Sequence, residues 1–307
     1  MIRKALLFTV AAAGLAMPAL AHNAWFLPST TVLSDTQQSV SVDAGTSTAP
    51  FEPNHNAMNI DGVKVWAPDG SMGTPENAAK SRYRSTFDVK IDKPGTWRIG
   101  MENAGISGSF KVDGEPWMVG RRRGPPPGAG AAGAGAGTGA PPMGAQGRGG
   151  PGDRPRIDPS HIVASVDDIP ANATDVELTE TMSRNEFFVT AGEPSDALFK
   201  PAGKGLEFVP VTLPTDLVSD EPAQFRFLVD GQPAAGIEVE IIPGGRRYRT
   251  TDETQKLKTD GEGILTVNWP VAGMYWLSTT VTDSKPSQRK ASKRRMSYTA
   301  TLEVLAP

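Results

Sequence analysis

Short runs of alternating apolar and polar residues dominate the chain, with turn-forming residues between them. Val40-Ser41-Val42, Val63-Lys64-Val65-Trp66, Phe87-Asp88-Val89-Lys90-Ile91 and Trp97-Arg98-Ile99-Gly100-Met101 each put apolar side chains on one face of an extended segment. Asp61-Gly62, Pro68-Asp69-Gly70 and Lys93-Pro94-Gly95 separate them, and glycine, proline and aspartate suit the backbone angles of tight turns. Phe110-Lys111-Val112 before Asp113-Gly114 predicts another strand and turn, and the pattern resumes at Ile162-Val163-Ala164-Ser165-Val166. Val176-Glu177-Leu178 and Asn185-Glu186-Phe187-Phe188-Val189-Thr190 add two more strands. No helical period is evident beyond the first 21 residues. These runs predict an antiparallel β-sandwich over residues 22–200.

The pattern then repeats. Phe225-Arg226-Phe227-Leu228-Val229 meets the turn Asp230-Gly231, and Ile237-Glu238-Val239-Glu240-Ile241 alternates cleanly. Leu265-Thr266-Val267-Asn268-Trp269, Tyr275-Trp276-Leu277 and Tyr298-Thr299-Ala300-Thr301-Leu302-Glu303-Val304 complete a second sandwich over residues 206–307. The stretch from Ala191-Gly192-Glu193-Pro194 to Gly203-Lys204-Gly205 marks the boundary. The fold class expected is therefore all-β, with two antiparallel sandwiches. The basic run from Lys285 to Arg295 reads as a solvated loop before the last strand.

Two segments stand outside this pattern. Residues 1–21 combine a basic start (Arg3, Lys4), an apolar run from Ala5 to Met17 and the small-residue sequence Ala19-Leu20-Ala21. That is the design of a secretory signal peptide cut after Ala21, which predicts a periplasmic protein. Residues 121–156 are a Gly/Pro/Ala-rich segment whose charges are mostly arginine, such as Arg121, Arg122, Arg123 and Arg148. Little apolar surface is available there to offset ordering, so a disordered insertion in the first sandwich is expected. A tether to an anionic envelope surface is the sharper alternative.

Composition narrows the chemistry. There is no cysteine among the 307 residues, which removes disulfides, thiolate metal sites and thiol catalysis. Without Arg3 and Lys4, 29 basic residues face 34 acidic ones, and that excess of acid gives no case for nucleic-acid binding. No second long apolar stretch exists, so no transmembrane segment is expected after signal cleavage. Phosphate loops, nucleophile elbows and His-Glu-x-x-His motifs are absent, and the carboxylates show no spacing that pairs them for acid–base work. The chain reads as a non-enzyme.

Histidine is the scarce residue. Only His22, His55 and His161 occur. Cleavage after Ala21 would leave His22 at the mature N-terminus, where its α-amine and ring together can chelate a metal. His55, in the polar loop Phe51-Glu52-Pro53-Asn54-His55-Asn56, and His161, after Asp158-Pro159-Ser160, are candidates to complete a nitrogen site. Such ligands suit Cu(II) and Ni(II), and their binding weakens as acid protonates them. Met58 is the methionine candidate for Cu(I). The tryptophans read as core.

The second half resembles the transthyretin-like and collagen-adhesin B-type sandwiches, members of the wider immunoglobulin-like class. The resemblance rests on Asp230-Gly231-Gln232-Pro233-Ala234-Ala235-Gly236, Thr259-Asp260-Gly261-Glu262-Gly263 and Ala272-Gly273-Met274-Tyr275. The whole chain except the insertion resembles a periplasmic domain family of unknown function associated with nickel and cobalt uptake transporters. Ala21-His22 leading to Trp25-Phe26-Leu27-Pro28, and Leu206-Glu207-Phe208-Val209-Pro210 with Leu213-Pro214, carry that likeness. It implies an accessory protein that takes nickel, cobalt or copper through His22. Its partners would be the metal ion and an inner-membrane transporter or outer-membrane receptor. Two alternatives remain open: an envelope interaction or adhesion module without metal, and a copper histidine-clamp oxygenase.

Overall fold

The computed structural model describes residues 23–120 and 158–307; the expected signal peptide, His22 and the expected Gly/Pro-rich insertion lie outside the described residues. The first half comprises β1 (Asn23–Pro28), β2 (Val32–Leu33), β3 (Gln38–Ser47), β4 (Asn56–Ala57), β5 (Lys64–Trp66), β6 (Met72–Gly73), β7 (Glu76–Lys80), β8 (Ser85–Ile91), β9 (Gly95–Val112) and β10 (Glu115–Val119). After the insertion come β11 (Ile162–Val163) and β12 (Thr174–Ala191). The remainder is β13 (Leu206–Pro210), β14 (Pro222–Val229), β15 (Gln232–Pro233), β16 (Glu238–Pro243), β17 (Gln255–Lys258), β18 (Ile264–Asn268), β19 (Gly273–Asp283) and β20 (Lys293–Val304). The only helical pieces among the described residues are single 3-10 turns, so none is long and apolar enough to cross a membrane.

The all-β expectation holds, and one sheet organises it. Strands run β11-β10-β9-β12-β20-β19-β16-β17 across this central sheet. Its middle is the parallel pairing of β12 with β20, Thr179–Phe187 alongside Lys293–Thr301, so the two halves of the chain share one continuous hydrogen-bonded layer. The outer sheet β1-β3-β8-β7 packs on one face of β9 and β12 through Phe26, Val42, Phe87, Ile99, Phe187 and Val189. The sheet of β13, β14, β15 and β18 packs through Phe208, Phe225, Phe227, Tyr298, Leu277 and Trp269. Successive strand residues point to opposite faces. Phe187 serves the first core and Phe188 the second, so the two outer sheets cover opposite faces of the central one.

Several expected strand boundaries move. Residues 97–101 and 110–112 belong to the single strand β9, and 176–178 and 185–190 to the single strand β12. The residues between, such as Asn103, Ala104 and Gly105, are exposed and carry no apolar alternation, because no layer packs on them there. They stay extended through their ladder with the partner strand. Beyond this bare stretch the two arms close over a small separate core of Phe110, Val119 and Leu178. The expected strand at 162–166 reduces to β11, followed by a 3-10 turn at Val166–Asp168 capped by Ser165.

Two of the Asp-Gly dipeptides, Asp113-Gly114 and Asp230-Gly231, form the tight turns the sequence predicts. Val112 pairs with Glu115 and Val229 with Gln232, leaving two-residue loops. Asp113 and Gly114 have φ of 51° and 87°, and Asp230 and Gly231 have 51° and 74°. Positive φ at both positions matches the twist of a tight hairpin, which aspartate followed by glycine tolerates. The basic run before the last strand is not simply a solvated loop. β20 already begins at Lys293, and Arg294 is buried, its guanidinium bonded to Asp230 at 2.7 and 3.0 Å and to Asp283 at 2.6 and 3.2 Å. The loop before it is pinned where Ser287 donates from N and Oγ to the buried Glu180.

Candidate functional site

Two places concentrate chemistry. The first is the corner at the end of β3. There β1 pairs on one side, Asn23 opposite Ser47, and β4 on the other, Asn56 opposite Thr46. Two strand spacings separate β1 from β4, a distance of about 10 Å. Trp25 anchors the corner: its indole N–H donates to Ser47 Oγ at 2.7 Å and its ring meets Phe51 edge-on. Gly45, opposite Trp25, leaves the space that ring needs, since a Cβ would sit 2.7 Å from it. The second half of the chain clamps the same corner. Trp276 Nε1 donates to Ala24 O at 3.0 Å, and Arg247 N donates to Glu52 Oε1 at 3.1 Å.

His55 is exposed beside this corner, one residue before Asn56. His22 lies outside the described residues, but the next residue, Asn23, holds the opposite edge. His161 is elsewhere. It ends the 3-10 turn Pro159–His161, whose N-cap is Asp158, and stacks on Trp117 with ring centroids 4.4 Å apart. Its turn sits beside Met118, Ser109 and Leu178, at the level of the start of β20. The loop of Phe51 packs on Gly244, whose N–H bonds to Met274 opposite Glu303. Ten residues of strand between those levels span roughly 30 Å. The structure therefore does not join His161 to His55 in one site. Among the described residues no group of three His, Asp or Glu side chains could hold a metal. Met58 packs against the first core instead.

The second place is a charged cluster at the junction of the two halves. Across the ladder Arg98 faces Phe188, Gly100 faces Glu186, and Glu102 faces Arg184; on the other side Arg184 faces Tyr298. Residues paired in this way share one face of the sheet. Gly100 gives Glu186 its place, since a Cβ there would lie 2.6 Å from Glu186 Cβ and 2.3 Å from Asn185 O. Glu186 is 2% exposed, and Tyr298 donates its hydroxyl to Oε1 at 2.9 Å. Glu186 Oε2 lies 3.7 Å from Arg98 Nη1 and 3.8 Å from Arg184 Nε. Glu102 Oε1 lies 3.3 Å from Arg184 Nε and 3.5 Å from Arg98 Nη2. Arg98 rests on the Trp66 ring at 3.9 Å.

Burial pushes the Glu186 carboxyl above the usual carboxylate range, against the pull of Arg184, Arg98 and the Tyr298 hydrogen bond. Burial, then the Glu186 charge, drives the Tyr298 hydroxyl well above its ordinary value. A cavity of about 290 Å³ opens beside these groups, closed by the segment from Ala197 to Ala202 and walled by Phe188, Phe199 and Phe208. Sequence reading misses this cluster. Arg98 and Glu102 alternate with Ile99 and Met101, and Arg184 and Glu186 precede Phe187, which is also how a strand looks when its polar face meets water.

A family model described as a domain of unknown function, DUF4198, matches residues 19–283. No curated protein matches the chain. Among solved structures, trypsin-activated alpha-2-macroglobulin from Escherichia coli aligns with 95% of this chain at 11% identity and a TM-score of 0.23; the chain spans only 16% of that protein. The D0-D1 domain of intimin aligns over 91% of this chain and 97% of its own length, at 12% identity and a TM-score of 0.19. Superpositions at that level carry neither fold nor function across.

Proposed function

We propose that this chain, which belongs to the DUF4198 family, is an exported, non-catalytic protein that binds a transition-metal ion at the β1–β3–β4 corner. The ion is cargo: nickel, cobalt or copper, received and passed on to a membrane transporter or receptor. One observation carries the reading. Asn23, which follows His22 in sequence, and Asn56, which follows His55, flank the same strand end through the pairs Asn23–Ser47 and Asn56–Thr46. Each histidine precedes its paired asparagine by one residue, and consecutive Cα atoms are about 3.8 Å apart. Asn23 and Asn56 lie two strand spacings apart, about 10 Å, which suits two histidines sharing one ion.

The donor set fits this cargo only if residues 1–21 are removed. His22 then offers its α-amine and ring, and His55 a third nitrogen, a set suited to Cu(II) and Ni(II). The rigid setting of the corner, with Trp25 buried and Trp276 bonded to Ala24, would hold both approaches in place before the ion arrives. Calorimetric titration of the processed protein with nickel, cobalt and copper chlorides tests this. His55→Ala should weaken binding at least tenfold, the scale seen even when an outer partner of a metal ligand is lost. His161→Ala should change nothing. Equal binding by wild type and His55→Ala would refute the corner as the site.

A further inference from the structure

The groups of the charged junction are poorly matched to one another. Four guanidinium–carboxylate approaches connect Arg98, Arg184, Glu102 and Glu186, at 3.3 to 3.8 Å. Charge-assisted hydrogen bonds between such groups close to about 2.7–2.9 Å. None of the four does. Two buried polar atoms, Arg98 Nε and Glu186 Oε2, have no hydrogen-bond partner. Taking charges out of water at this spacing is costly unless further hydrogen bonds complete them.

The linker above the cavity is held by Glu207. Glu207, 3% exposed, accepts from Ala202 N at 2.6 Å and from Gly203 N at 3.0 Å, which fixes the linker over the cavity. Of the buried side-chain atoms without a partner among the described residues, Glu186 Oε2 and Arg98 Nε belong to residues that line the cavity. Three cations, Arg98, Arg184 and Lys200, and three carboxylates, Glu102, Glu186 and Glu207, surround it. A simple anion entering here would meet Glu186 and Glu102; a simple cation would meet Arg98 and Arg184. A molecule with both charges side by side satisfies both sets. Beside them Phe188, Phe199 and Phe208 form an apolar wall. The volume of about 290 Å³ suits a ligand of roughly ten heavy atoms, at the small end of ligand pockets.

We infer that the cavity between Arg98, Arg184 and Glu186 is a binding site for a small zwitterion of the α-amino-acid type with an apolar side chain. The carboxylate takes the guanidiniums, the ammonium takes Glu186 and Glu102, and the side chain lies on the three phenylalanines. Binding leaves the ligand unchanged.

Calorimetry on the processed protein, with EDTA present to exclude metal, gives the test. L-leucine should bind saturably with one-to-one stoichiometry. Leucinamide, lacking the carboxylate, and 4-methylpentanoate, lacking the amine, should each bind at least tenfold more weakly. Arg98→Met and Glu186→Gln, checked for native circular dichroism, should lose leucine binding. The three-compound comparison on wild type stands even if a variant fails to fold. No saturable leucine binding would overturn the inference, as would 4-methylpentanoate binding as well as leucine, or leucine binding that survives both substitutions.

Discussion

Tyr298→Phe removes one oxygen and nothing else from the centre of the shared sheet. Tyr298 is fully buried and stacked on Phe208, with ring centroids 5.2 Å apart, so the ring itself remains packed. What is lost is the 2.9 Å hydrogen bond to Glu186 Oε1. With Oε2 already lacking a hydrogen-bond partner, the buried carboxylate keeps only ion pairs of 3.7 and 3.8 Å. A hydrogen bond to a charged group contributes about 1.5–3 kcal/mol, and a neutral one about 0.5–1.5 kcal/mol. The loss must therefore depend on pH. Because the folded state raises the Glu186 pKa above 4.5, folding takes up a proton. That contribution is complete below the unfolded value and is lost as pH rises through the folded one. Removing the tyrosine hydroxyl raises the folded pKa further and deepens the loss at high pH. Urea unfolding followed by tryptophan fluorescence should show a penalty of about 2 kcal/mol at pH 8 and about half that at pH 4.5. A penalty that is equal at both pH values, or negligible at pH 8, would refute the picture of an ionised Glu186 held by Tyr298.

Two other substitutions probe the frame around that cluster. Gly100→Ala drives a methyl group into the Asn185 carbonyl and Glu186 Cα, at 2.3 and 2.7 Å, and backbone must shift. A loss of about 1–3 kcal/mol, with weakened protection of the β9–β12 amides in hydrogen exchange, is expected. Arg294→Met strips Asp230 and Asp283 of their shared guanidinium, which is 5% exposed while the carboxylates are 41% and 22% exposed. Those carboxylates can rehydrate, so the cost at pH 7 is about 2–3 kcal/mol, below the usual range for breaking a buried pair. Arg294 holds both carboxyls below the ordinary range, so its stabilisation is present above pH 3.8 and fades as acid protonates them. In urea melts the gap between wild type and Arg294→Met should narrow at pH 3.

The strands were legible because the outer sheets are half buried. In Phe87-Asp88-Val89-Lys90-Ile91 every second residue enters the first core, and the alternation is complete. The Asp-Gly hairpins were legible for a different reason: their backbone angles admit few residues. What alternation could not reveal was the shared sheet. The parallel pairing of β12 with β20 depends on backbone bonds between residues 114 positions apart, such as Thr179 and Lys293, and backbone bonds have no sequence signature. The bare middle of β9, Glu102 to Ser109, looked like a break for the same reason. Of the candidate site, His55 beside β4, across β3 from β1, could not be foreseen from spacing, since β4 is only two residues long. Arg98, Glu102, Arg184 and Glu186 looked like solvent-facing charge. Only the linker folding back from Ala197 to Ala202 turns that face into a cavity wall.

The proposed metal corner stands or falls on a free α-amine at His22. Two preparations should be compared, one beginning at His22 and one with a single alanine ahead of it, each verified by intact mass. The extra residue moves the α-amine away from the His22 ring and leaves every paired strand untouched. Titration with copper, nickel and cobalt should give one-to-one binding to the first and a loss of at least tenfold in the second. Equal affinity in both preparations, or no binding by either, would contradict the assignment of this corner as the metal site.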